Sequence, residues 1–307
     1  MKTRILSLIL AGILAAACMG CGGSASAASS EAAPAESAEA EAAPEAEAPA
    51  EAPAEEAAPA ESAEAEAPAA ADDLLAKIQA AGTMTVAMEG DWAPWTYHGD
   101  NDELTGYDVD VAKAIGEKLG VEVKFIEGEW DGLLSGMEAG RYDLVVNGVD
   151  VTPDRAEKYD FSEPYAYIRT ALVVRADNED IKSFEDLNGR TTANSIGSTY
   201  MEIAEGYGAT VSGVDTLDET IQMVLQGRVD ATLNADQSFF DYLREHPDAE
   251  IKIVAETEEA NSIAIPMRKG EETASLREAV SQAIIELKED GTLTALSEKY
   301  FGSDVSK

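Results

Sequence analysis

Arg155 is the first residue that asks for a chemical explanation. It stands in "NGVDVTPDRAEKYDFSEPYAY" (147–167), where Thr152 is a good helix N-cap and Pro153 suits the first helical position. A cation in the first turn meets the positive end of the helix dipole. Two readings are open. Arg155 is a surface residue paired with Glu157 or another nearby acid, or it holds a bound carboxylate through the two charge-assisted hydrogen bonds of a guanidinium fork. A second anion feature lies in "NSIGSTYMEIAEGYG" (194–208). Thr199 and Glu202 fit a capping box after Gly197, and free backbone N–H groups at a helix start attract carboxylate. Alone, Thr-x-x-Glu marks a helix cap; together the two features outline a clamp for one anionic group.

An internal echo supplies further polar groups. "GRYDLVVN" (140–147) and "GRVDATLN" (227–234) share Gly-Arg-x-Asp-x-x-x-Asn. In each, a helix ends at Gly and a buried strand delivers an Asn at its C-terminal end, which suggests two lobes built alike. The alternative is coincidence between two ordinary helix–strand junctions. Ligands in open α/β sheets sit beyond the carboxyl ends of strands, so Asn147–Asp150 and Asn234–Asp236 are candidate ligand loops. Asp236 could receive an ammonium or cap the following helix. Trp92 and Trp130, near strand ends, are structural or stack on a ligand side chain or cation. Catalytic signals are thin: His98 and His246 stand in polar surroundings, and no phosphate loop or His-x-x-x-His metal spacing occurs. No catalytic residue, metal or cofactor is assigned.

The elements that must position these groups alternate. "MTVAM" (84–88) reads as a strand. "YDVDVAKAIGEKLG" (107–120) carries Tyr107, Val111, Ile115 and Leu119 on one helical face and ends at Gly120. A strand at 121–127, a helix at 131–140, a strand at 142–149 and a helix at 237–246 continue the rhythm. This is an α/β pattern with mainly parallel sheet.

The N-terminal part reads differently. Lys2 and Arg4 precede an apolar run, Ile5 to Ala17, too short to span a bilayer permanently. The two cysteines of the chain, Cys18 and Cys21, follow in "CMGCGGS". Residues 1–21 are expected to be a signal peptide. Residues 22–72 are expected to be an extended tether of Ala, Glu and Pro, because its prolines break helix and its like charges repel. Without its twelve glutamates, 48 of the 60 acids remain against 20 of the 22 basic residues, the other two being Lys2 and Arg4. That balance argues against nucleic acid or anionic lipid as a partner.

"GDWAPWTY", "LTGYDVDVAKAIGEKLG", "GRYDLVVNGVDVTPDRAEKYDFSEPY", "GRVDATLN" and "LKEDGTLTALSEKYFG" resemble the bacterial extracellular solute-binding proteins of family 3, the polar amino-acid-binding lipoproteins of ABC transporters. The likeness covers essentially all of 73–301. It implies a two-lobed periplasmic-binding-protein-like fold of type II, each lobe a mainly parallel sheet flanked by helices. Lobe 1 would comprise 73–170 and 266–307, and lobe 2 residues 171–265, with crossovers near Ala171–Arg175 and Asn261–Pro266. By resemblance Arg155 holds the ligand α-carboxylate with Ser198 and Thr199. Gly148, Asp150, Asn234 and Asp236 match the ammonium side, where the family often has Ser or Thr at Asp150 and an acid at Ala235. Glu89, Trp92, Trp130 and Asn147 match positions around the ligand side chain and lean toward a cationic amino acid or cystine. The expectation that follows is a monomer that works with a permease and its ATPase and is anchored outside the cytoplasm through a lipidated cysteine, Cys21 or alternatively Cys18. An enzyme on the same fold, such as a cyclic-acid dehydratase, is the rival. An amino-acid sensor is a third class, for which no span or signalling domain is read after Lys307.

Overall fold

The computed structural model describes residues 73–307. The expected signal peptide, Cys18, Cys21 and the Ala/Glu/Pro-rich stretch lie outside the described residues.

Asp73 caps α1 (Leu74–Ala81), accepting the Ala76 N–H at 2.8 Å. The chain then enters strand Thr83–Met88, the centre of a parallel sheet between Glu122–Glu127 and Leu144–Val145. Met84, Val86 and Met88 face the main core with Val111 and Ile115 of α2 (Tyr107–Leu119). Ala87 packs oppositely, with Leu133 and Met137 of α3 (Trp130–Glu138). Both faces are covered, as crossover helices on a parallel sheet require. The strand expected over 142–149 keeps ladder pairing only at Leu144–Val145. On one side Asp143 is diverted to Thr85, and on the other Gly148 turns left-handed at φ 53°.

After α4 (Pro153–Lys158) the chain passes to a five-stranded sheet, ordered Thr210–Val214, Thr191–Ser195, Ala231–Ala235, Thr170–Arg175, Ile251–Glu256. The first three are parallel, and Thr170–Arg175 runs antiparallel to both neighbours. Around it lie α5 (Thr199–Gly206), α6 (Leu217–Leu225) and α7 (Asp236–Glu245). α8 (Glu271–Glu289) and α9 (Thr292–Phe301) return to pack on α2 of the first lobe.

One short antiparallel pair, Ala166–Ile168 with Asn261–Ile263, joins the lobes; a second, Tyr159–Phe161 with Pro266–Arg268, lies within the first lobe against strand Leu144–Val145 and α3. The segment Asn261–Pro266 contains strand Asn261–Ile263 of the linking pair. The other linking strand, Ala166–Ile168, comes earlier than Ala171–Arg175, which lies inside the five-stranded sheet. Ala171 to Val174 are all fully buried; an apolar run covered on both faces marks a central strand, whereas a linking strand has few neighbours.

The repeated Gly-Arg-x-Asp pattern has one structure twice. Gly140 and Gly227 follow α3 and α6 with φ 70° and 65°, a left-handed step that glycine takes without steric cost. Asp143 then accepts the N–H and hydroxyl of Thr85 at 2.7 and 2.6 Å. Asp230 does the same for Thr191, at 2.8 and 2.9 Å. Each aspartate pins the start of a strand to the neighbouring parallel strand, and so sets the register that carries Asn147 or Asn234 to the sheet's carboxyl edge.

Candidate functional site

A cavity lies between the carboxyl ends of the two sheets, the place where open α/β sheets bind small molecules. The first lobe supplies Glu89, Asp91 and Trp92 from beyond strand Thr83–Met88, Trp130 from the start of α3, and Asn147, Gly148 and Asp150. The second supplies Ser195 at a strand end, Ser198, Thr199 and Tyr200 at the start of α5, Leu217 of α6, and Asn234.

Glu89 is held rigidly. Asn147 Oδ1 accepts the Glu89 N–H at 2.8 Å, and Asn147 Nδ2 donates to Glu89 Oε2 at 2.6 Å. Burial pushes the Glu89 carboxyl up to about 7, against the pull of Asn147 and with a further push from Asp91 and Glu129. The Asp91 carboxyl is also raised, by burial first and by Asp218, Glu219 and Asp215 of the second lobe. Asp150 is 4% exposed. Burial raises its carboxyl, while Thr199, Arg155 and Asn261 pull it back. Its Oδ1 is buried with no hydrogen-bond partner, an arrangement that leaves an acceptor unsatisfied. Three acids and no lysine or arginine line the cavity, so its interior favours a positively charged group.

Among the described residues, two bonds between cavity-lining side chains cross from lobe to lobe. Thr199 Oγ1 donates to Asp150 Oδ2 at 2.5 Å, and Trp92 Nε1 donates to Asn234 Oδ1 at 3.2 Å. Trp92 also stacks on Trp95, with ring centroids 5.2 Å apart and planes at 12°. The lobes are therefore in contact over the cavity.

Most of the residues singled out from sequence meet here: Glu89, Trp92, Trp130, Asn147, Gly148, Asp150, Ser198, Thr199 and Asn234 all line the cavity. Arg155 does not. Its guanidinium lies 5.2 Å from the Trp130 ring and donates to the Asp150 carbonyl at 3.3 Å, one contact away from the cavity. Thr152 caps α4 as expected, accepting the Arg155 N–H at 3.2 Å. α4 has only six residues, however, so Arg155 belongs to its last turn as well as its first, and the dipole argument for a bound anion loses its force. Asp236 is buried but outside the lining; its Oδ1 accepts the Gln237 N–H, and Ala235, not Asp236, occupies the α7 N-cap. The capping box expected from Thr199 and Glu202 does not form, because the N-cap falls one residue earlier and Met201 stands at the third helical position. Ser198 caps α5, accepting the Met201 N–H at 3.2 Å, which frees the Thr199 hydroxyl for Asp150.

Asp91, Ser195, Tyr200 and Leu217 were not singled out from sequence. Asp91 adjoins Trp92, which was, and Ser195 ends strand Thr191–Ser195; those positions were the available signal. Tyr200 and Leu217 carry none, being ordinary first-turn residues of their helices.

The family model for bacterial extracellular solute-binding proteins, family 3, matches residues 84–303. The chain belongs to that family. Its role is solute binding, and the family places it on the extracytoplasmic side. The solute-binding chain is 43% identical over 236 residues to the L-cystine-binding protein TcyA of Bacillus subtilis (strain 168), covering 76% of this chain and 87% of TcyA. The L-cystine solute receptor of Neisseria gonorrhoeae, in its unliganded open conformation, is 42% identical over 73% of this chain and 94% of that one, with a TM-score of 0.51. An ancestral arginine-binding protein bound to arginine is 36% identical over 72% of this chain and 99% of that one, with a TM-score of 0.67. Identity and overlap run in opposite order. The cross-lobe bonds account for this, because a chain whose lobes touch overlaps poorly with an open relative. These likenesses and the two joined α/β lobes define the two-lobed type II periplasmic-binding-protein fold.

Proposed function

We propose that this protein captures a free polar amino acid between its lobes and hands it unchanged to the permease of an ABC importer. The observation that carries the reading is Asp150: a buried cavity-lining carboxylate on the first lobe, tied to Thr199 of the second, with its other oxygen unpartnered. A ligand ammonium on that oxygen gains contacts that exist only when the lobes meet, so binding favours closure about the two linking strands. The Gly148 loop and Asn234 complete the ammonium side, with Asp236 adding negative potential from behind Asn234. The α-carboxylate goes to Ser198 and Thr199 at the α5 start, and to Arg155 once its side chain turns inward past Trp130. Glu89, Asn147, Trp92 and Trp130 surround the ligand side chain. Two further acids, Glu89 and Asp91, favour a second positive group, which a cationic amino acid or cystine provides. The protein acts as a monomer on lobes 73–170 with 266–307 and 171–265, moored by lipid on Cys21, or on Cys18, and it is not an enzyme.

Thermal shift with the free amino acids and cystine, followed by small-angle scattering, tests this. A ligand at a hundred times its dissociation constant adds about 2.7 kcal/mol of stability, and the bound protein is expected to be more compact. No shift with any amino acid, or chemical turnover of the one that binds, overturns the reading.

A further inference from the structure

Asp108 is an acid where the sequence calls for an apolar residue. It lies one residue past Tyr107 on α2, in line with Ala112 and Ile115 on the buried side, and it is fully buried. No lysine or arginine bonds to it, and the hydroxyls of Tyr165 and Tyr107 are the titratable groups that face it. Such a carboxylate is costly, and a hydrophobic side chain would remove the cost. Its two oxygens are instead fully used. Oδ2 accepts the Gly148 N–H at 2.6 Å, and Oδ1 accepts the Tyr165 hydroxyl at 2.8 Å.

The two donors belong to different moving parts. Gly148 lines the cavity at φ 53°, and a Cβ there would lie 2.6 Å from the Trp92 ring. The loop is thus trapped between Asp108 behind and Trp92 in front. Tyr165 immediately precedes the linking strand Ala166–Ile168. Its N–H donates to the Ile263 carbonyl on the opposite linking strand at 2.8 Å, and its own carbonyl accepts the Tyr107 hydroxyl at 3.1 Å.

We infer that Asp108 is a positioning residue that couples the cavity to the hinge, one carboxylate oxygen fixing the Gly148 loop and the other fixing Tyr165 at the root of the linking strands. Rotation of the linking strands pulls on Tyr165, and through Asp108 on the loop that meets the ligand. A carboxylate accepts from both donors at once, whereas an amide in its place meets Gly148 through its one oxygen and holds Tyr165 only if that hydroxyl turns from donor to acceptor. Burial pushes this carboxyl up to about 7, the cost at which both donors are held. The inference rests on the reading of Gly148 as part of an amino-acid pocket.

The test uses the full chain with L-cystine and L-arginine as probes. The Gly148 amide, bonded to a carboxylate at short range, is expected to resonate far downfield and to exchange slowly. In Asp108→Asn that signature is lost and affinity falls at least tenfold, while the melting temperature without ligand stays level or rises. A merely structural Asp108 would lower the melting temperature and leave affinity alone. Tyr165→Phe, the fallback should Asp108→Asn not fold, leaves Asp108 to Gly148 alone. It is expected to move the Gly148 resonance and change affinity at least threefold, although Tyr165 does not line the cavity. An unmoved Gly148 resonance, or affinity within threefold of the parent in the folded variant, overturns the coupling. If no free amino acid, cystine included, binds the parent chain, the pocket reading fails separately, and the Gly148 signal in Tyr165→Phe still reports the link.

Discussion

Asp150→Asn separates binding from stability, because it is expected to move them in opposite directions. In the parent chain Asp150 Oδ2 takes the Thr199 hydroxyl and Oδ1 is left unpartnered. An asparagine keeps the Thr199 bond through its carbonyl oxygen and turns its NH₂ into the place of Oδ1. A ligand ammonium then loses a charge-assisted acceptor and meets a donor. Such a bond is worth about 1.5–3 kcal/mol, which converts to roughly a ten- to 150-fold loss of affinity. The ligand-free protein, by contrast, is relieved of a buried carboxylate and is expected to melt higher. The pH dependence follows from the raised carboxyl. Protonation neutralises the acceptor, so parent affinity falls as pH drops through that raised value, and the Asp150 contribution to this fall is absent in the variant. Isothermal titration calorimetry across pH, paired with thermal melts, measures both arms. Affinity within threefold of the parent at pH 8 would refute the ammonium role, and a lower melting temperature would refute the account of the orphaned oxygen.

Arg155→Ala removes the guanidinium beside Trp130 and Asp150 and is expected to cost at least tenfold in affinity, with the melting curve preserved within a few degrees; calorimetry showing no change would sink its carboxylate role. Glu89→Gln acts on a carboxyl raised from 4.5 to about 7. The folded state keeps that proton longer than the unfolded chain, so stability declines as pH rises from about 4.5 to 7, by up to about 3 kcal/mol at roughly 1.4 kcal/mol per pH unit. The variant should escape that decline, and equal melting temperatures of parent and variant at both pH 4.5 and pH 8 count against burial as its cause. Mass spectrometry of the mature N-terminus is expected to find diacylglyceryl Cys21, two acyl chains being enough for stable anchoring; a mature chain beginning at Cys18, or at an unmodified residue beyond Cys21, contradicts it.

Local features of this chain were legible before any coordinates. Thr152 and Pro153 start α4, the row of Tyr107, Val111 and Ile115 faces the core, and the two Gly-Arg-x-Asp-x-x-x-Asn units end in Asn147 and Asn234 at the cavity. Each depends on neighbours within about eight positions, where caps, turns and helical or strand periodicity are written into residue order. Resemblance of the longer motifs extended that reading to nine of the cavity residues.

What folding added lies in pairs far apart in the chain. Thr199 meets Asp150 across 49 positions and Trp92 meets Asn234 across 142, because closure of one lobe on the other brings them together. Helix length, set by where α4 runs into strand Tyr159–Phe161, deprived Arg155 of a simple first-turn position. A one-residue shift of the α5 cap to Ser198 released Thr199 for the opposite lobe. Asp108 reads in the sequence as one more acid among 60, and it becomes distinctive only where Gly148 and Tyr165 converge on it from 40 and 57 positions away. Hydrogen-bond partnership across such separations depends on how sheets and helices pack, and the order of residues along either segment carries no record of it.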